Sequence, residues 1–168
     1  MLPIIIMTIS LLLDGLLTNY LPFLVNDLSF FTPLFTLISI FIIYPLYRKK
    51  EKKYFISIFI LGILYDLLYT NLLFFNAVLF VFIGFIIRLI IKNFELSYMK
   101  IILYIVIVVV SYETLTLFFL GIFNIIPVSI NRLIYKITHS LLINIIYGEI
   151  LFIIIKILPK KYKEISIN

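Results

Sequence analysis

Apolar residues in this chain do not alternate with polar ones; they run. Six apolar stretches, at about residues 2–20, 32–47, 54–69, 72–91, 101–123 and 141–158, are separated by short polar breaks. Crossing the hydrocarbon core of a bilayer takes about 20 helical residues. The pattern therefore predicts an all-α integral membrane protein of six transmembrane helices, with residues 1–168 forming one transmembrane domain. The first run has neither the basic leader nor the small-residue cleavage site of a signal peptide, so it is expected to stay as an anchor. Pro22 closes that run, and Pro33 is expected near the first turn of the second, where proline is tolerated.

Polar residues inside the runs break the pattern in an ordered way. Asp66 sits in Gly62-Ile-Leu-Tyr-Asp66-Leu-Leu-Tyr-Thr70-Asn71, and the same Asp-x-x-x-Thr-Asn spacing occurs 52 residues earlier as Asp14, Thr18 and Asn19. A charged group at membrane depth costs about 2.5–3.5 kcal/mol on insertion scales, so each copy needs a reason. Asp14, Asp66 and Glu113 are each the thirteenth residue of an odd-numbered run. At 1.5 Å per residue this places all three about 20 Å along their helices. Helical side chains lean towards the N-terminus, so the acids are expected to face the bundle interior. Two uses are open for them. Thr18 and Thr70, four residues on, could hydrogen-bond the carboxyl groups as interhelical glue; alternatively, the acids form a polar contact site inside the bundle or with a partner helix. No counter-charge is expected at their depth.

Charge then sets orientation. Twelve of the 14 Lys and Arg residues lie in the connections after runs two, four and six, led by Arg48-Lys-Lys-Glu-Lys-Lys53, while Arg132 and Lys136 lie on the other side. The positive-inside rule then predicts three hairpins with both termini in the cytoplasm. The net charge of +6 is thereby assigned to topology and to attraction for anionic lipid, not to nucleic acid. Arg88 reads as a flank of the fourth run. Between runs five and six, Ser129 is placed to cap a helix over 129–139. Arg132, Lys136 and His139 share its polar face with Asn131 and Tyr135, and Ile130, Leu133, Ile134 and Ile137 share the other. That is the pattern of a helix lying in the outer interface before it bends into run six.

Composition agrees and mostly excludes. At 64% hydrophobic and 13% charged the chain departs far from soluble domains, which are about 45–50% apolar and about 25% charged. There is no cysteine and one histidine, which leaves no disulfide and makes a metal site improbable on composition. No nucleophile–base pair, metal-ligand cluster or nucleotide loop occurs, so neither an enzyme nor a cofactor is expected. Gly15, Gly62, Gly84, Gly121 and Gly148 put one small residue in every run except the second, a pattern suited to close helix packing. Glu149 in run six is a weaker polar candidate.

The small size, the six apolar runs, Gly62-x-x-x-Asp66 with its short turn, and Glu113 late in run five resemble the MreD family of bacterial rod shape-determining membrane proteins. Where that family often carries a glycine after the turn, this chain has Phe74. The resemblance implies a multi-pass protein of the bacterial cytoplasmic membrane and a non-catalytic part of the cell-elongation machinery. Such a protein would bind the bitopic protein MreC, contact elongation-complex membrane enzymes, and link the MreB cytoskeleton to peptidoglycan synthesis. Gly62, Asp66 and Glu113 are the residues it carries over. The alternative is the substrate-binding membrane subunit of an energy-coupling-factor vitamin transporter. Those subunits dock through an Ala-x-x-x-Ala face on the first span, and run one here contains no alanine.

Overall fold

The computed structural model describes residues 2–20, 32–47, 50–70, 72–91 and 98–157. Pro22, the Arg48-Lys49 start of the basic cluster, Asn71, Lys92, the lysines beyond Ile157 and the side chain of Asn19 lie outside the described residues. Among those described there are six α-helices and no strand: α1 (Leu2–Tyr20), α2 (Phe35–Ile43), α3 (Glu51–Tyr69), α4 (Phe75–Ile90), α5 (Tyr98–Ile122) and α6 (Ile130–Ile157). Consecutive helices pack as pairs, α1 on α2, α3 on α4 and α5 on α6, and α2 also packs on α4, α5 and α6.

Helix α2 occupies the centre. Its sequence, Phe-Thr-Leu-Ile-Ser-Ile-Phe-Ile-Ile, is apolar nearly all round, and every residue in it is buried. A helix without a polar face has its natural place in a core. It is also short. Pro45 lacks the N–H that would make the next α-helical bond, and the chain tightens there into a 3-10 turn over Tyr44–Tyr47. Nine residues and a four-residue turn cover about 20 Å, well short of a bilayer's roughly 30 Å core. Pro33 lies just before the first turn, which starts at Phe35.

The lengths differ from six equal spans. Among the described residues, two helices are long and apolar enough to cross a membrane, Lys100–Ile122 within α5 and Ile130–Ile157. Leu2–Thr18, Phe35–Tyr47 and Phe75–Ile90 are apolar but shorter. α3 begins three residues earlier than the apolar pattern indicates, taking Glu51, Lys52 and Lys53 into its first turn.

The separate interfacial helix over 129–139 is not found. Helix α6 runs unbroken for 28 residues, since neither proline nor a turn signal interrupts the chain between Ser129 and Ile157. Its first turns are exposed on both faces, Ile130 and Ile134 included. The turn before it is built for a stop. Asn124 adopts a left-handed φ of 54°, its N–H bonds Gly121 O at 3.0 Å, and the Ile125 N–H bonds Leu120 O at 2.9 Å. These two bonds form a Schellman motif with asparagine in the left-handed position.

Candidate functional site

Asp66 lies at the end of α3, fully buried, and faces the start of α4. The Asn76 N–H donates to both carboxylate oxygens at 3.0 and 2.9 Å, and the Ala77 N–H donates to Oδ2 at 3.2 Å. The Asn76 side-chain amide adds a bond of 2.8 Å and the Thr70 hydroxyl one of 3.0 Å. A helix start has N–H groups with no partner inside the helix. Normally a side chain within the same helix caps them. Here a neighbouring helix supplies the cap, and a negative group at the positive end of the helix dipole adds to its stability.

Gly62 makes that approach possible. One turn before Asp66, a Cβ at position 62 would lie 2.7 Å from the backbone nitrogen of Ala77 and 2.9 Å from the carbonyl oxygen of Asn76. The spacing Gly-x-x-x-Asp puts the gap and the cap on one helical face, so α4 starts against α3 with its amides on the carboxylate. Ala77, the sole alanine of the chain, is the residue that fits the gap. The network continues, because the Tyr112 hydroxyl of α5 donates to Asn76 Oδ1 at 2.8 Å.

Asp14 repeats the device on α2. Oδ1 accepts the Phe35 N–H at 2.8 Å, and Oδ2 accepts the Thr36 N–H at 2.9 Å and the Thr36 hydroxyl at 2.6 Å. The preceding amide, Leu34 N–H, is taken by Asn144 Oδ1 of α6 at 2.8 Å, while Asn144 Nδ2 donates to Thr32 O and Ser140 O. Side chains of α1 and α6 thus jointly satisfy the start of the buried helix. Ser10, one turn before Asp14 and as buried as Gly62 is close-packed, shares a 2.6 Å hydrogen bond with the Tyr147 hydroxyl of α6. Tyr69, three residues beyond Asp66, packs its ring on Gly15 and donates to Leu11 O at 2.7 Å. The ends of the two acid-bearing helices are thereby tied together.

The two threonines behave differently. The Thr70 hydroxyl reaches the carboxylate of Asp66, whereas the Thr18 hydroxyl donates to the backbone oxygen of Asp14 at 2.8 Å. Glu113 does not cap a helix. Buried at 3% side-chain exposure, it pairs with Lys136 of α6 at 3.7 Å. A counter-charge therefore does stand at its depth, because the unbroken α6 carries Lys136 down alongside α5 rather than out along the interface. Arg88 is not only a flank either; it forms a 2.9 Å ion pair with Glu51 at the other end of the bundle. Arg132 reaches the Pro127 carbonyl at 3.5 Å, and His139 Nδ1 lies 2.8 Å from Tyr135 O with its ring stacked on that of Tyr135. Glu149 joins neither capped helix start.

Reasoning from residue types alone passes over Asn76, Asn144, Thr36, Ser10, Tyr112 and Tyr147, which complete these networks. Their signal is a polar atom within an apolar run. For Asn76 there is also its place ten residues beyond Asp66, one short turn away.

A family model described as rod shape-determining protein MreD matches residues 1–162. The chain belongs to the MreD family. No curated protein and no solved structure matches it. Membership makes this a membrane protein concerned with rod shape, in keeping with its long apolar helices. Within this MreD chain the acids of the two repeated motifs serve helix starts, and each of their contacts comes from a donor. Both carboxylates are occupied from inside the fold.

Proposed function

We propose that this MreD-family chain is a non-catalytic, multi-pass scaffold of the bacterial cytoplasmic membrane. In this reading its spans bind an MreC-like bitopic protein and elongation-complex enzymes, linking the MreB cytoskeleton to peptidoglycan synthesis. The family match over residues 1–162 carries the reading. The interior supports it, because Asp14 and Asp66 are engaged by backbone amides and Glu113 by Lys136. A bundle whose polar groups hold its own short helices in place is suited to presenting fixed outer faces to partners.

Three hairpins with lysine-rich ends in the cytoplasm complete the proposal. The short α2 and α4 start inside the bundle, where lipid and loops offer no acceptor for their amides. Non-helical backbone at membrane depth is tolerated where protein buries it and satisfies its polar groups. Asp14, Asn144 and Asp66 supply that satisfaction, which gives their depth a structural reason.

Depletion of the protein in its rod-shaped host tests the reading. Cells are expected to round and to lose the localised pattern of wall insertion. Rods that persist with normal insertion sites overturn it. Co-purification in mild detergent is expected to retain a single-pass partner.

A further inference from the structure

Tyr112 meets Asn76 in the first turn of α4, yet α5 continues to Ile122. About ten residues of α5, roughly 15 Å, therefore rise past the start of its neighbour. The step leaves an open groove of about 720 Å³, walled by Leu72, Leu73 and Phe74 on one side and Phe119, Phe123 and Ile125 on the other. Phe74 holds a left-handed conformation, φ 65° and ψ −1°, which is an outlier for a bulky residue. It stands 56% exposed at the rim. The walls contain neither the small residues nor the polar groups through which helices lock together in a membrane. On this end of the bundle, among the described residues, Arg132 stands exposed on the first turn of α6, just beyond the Phe123–Val128 turn, while Lys136 is held inwards by Glu113.

We propose that this groove is a binding site for one acyl chain of an anionic glycerophospholipid, whose phosphate is met by Arg132. Flexible hydrocarbon fills an irregular, wholly apolar notch that a straight helix cannot enter. The nearby guanidinium selects the headgroup, as basic residues beside membrane helices do. This site is independent of the scaffold reading.

The test uses the full chain in nanodiscs, with phosphatidylglycerol or phosphatidylcholine carrying a diazirine at the end of one acyl chain. Labelling is expected to concentrate at residues 72–75 and 119–125, several-fold above the lipid-facing stripe of Ile5, Ile9, Leu12 and Leu16. Phosphatidylglycerol is expected to label the groove at least about threefold more than phosphatidylcholine. Arg132→Gln should remove that preference while the chain stays folded, and Val78→Trp, which narrows the groove from its lipid-exposed side, should reduce labelling by both. Uniform labelling of all apolar faces, or equal labelling by both lipids, overturns the proposal. So does a photocross-link from position 123, in native membranes, to a second copy of the chain or to another protein.

Discussion

Asp66 shows how a single residue can satisfy a helix that is not its own. Four donors converge on two oxygens at 2.8–3.2 Å, and removing the acceptor leaves buried amides unpaired. Each buried group left without a partner costs about 1–3 kcal/mol. Asp66→Ala and Asp14→Ala are therefore each expected to lower unfolding stability by roughly that amount. Asp66→Asn should lose less, because one oxygen of the pair remains. Denaturation in mixed micelles, followed by helical circular dichroism, measures it; an Asp66→Ala protein as stable as the parent would show that the cap contributes nothing. Phe74 gives the opposite sign. A left-handed conformation costs a non-glycine residue about 1–2 kcal/mol, and the Phe74 side chain is largely exposed. Phe74→Gly is expected to stabilise the chain by about 1 kcal/mol in the same measurement.

Among elements, what could be read from the chain depended on whether the cause was local. The start of α1, the turn at Leu72–Phe74 and the common spacing of Asp14 and Asp66 follow from residues close in sequence. Gly62 announced a close approach, and the close approach is there. The shortness of α2 was less visible: Phe35–Tyr47 is as apolar as a span, and only Pro33 and Pro45 mark its limits. The partners Asn144 and Tyr147 lie more than 100 residues from what they bind, beyond the reach of any periodicity. The unbroken course of α6 has a physical cause as well. An amphipathic pattern over 129–139 fits an interfacial helix, yet it fits equally the exposed end of a helix longer than the bilayer is thick. Lys136 decides between them by turning inwards to Glu113. Breaking a buried pair from one side is worse than removing both members. Lys136→Met is expected to cost about 2 kcal/mol, less than for a fully buried pair since Lys136 is partly exposed. Glu113→Gln should cost less, and the double variant should recover most of the loss. An additive double variant would mean that the two side chains do not interact in the membrane.

At the level of the whole molecule, the open issue is which way the bundle faces and how the short helices count as crossings. Twelve of the 14 basic residues gather in three connections, and each Lys or Arg at the bilayer centre costs about 2.5–3.5 kcal/mol on insertion scales. Drawing five of them, Arg48 to Lys53, through the membrane would therefore be strongly resisted. Translocating the other turn, which has Arg132 and Lys136 near it, meets far less resistance. Helix α2 is short, but it need not reach both surfaces alone, because its start is satisfied inside the bundle by Asp14 and Asn144. The chain can therefore return to the lysine-rich side with a helix of about 20 Å. Because the natural sequence has no cysteine, single cysteines can be placed without background. Cysteines at positions 50 and 53 are expected to react with a membrane-impermeant maleimide only after lysis, and those at 125 and 128 in intact spheroplasts. Position 34 should resist the reagent on both sides, as the buried start of α2 requires. Reaction at 50 from outside would invert the bundle, and reaction at 34 from either side would mean that water, rather than Asp14 and Asn144, satisfies the first amides of the central helix.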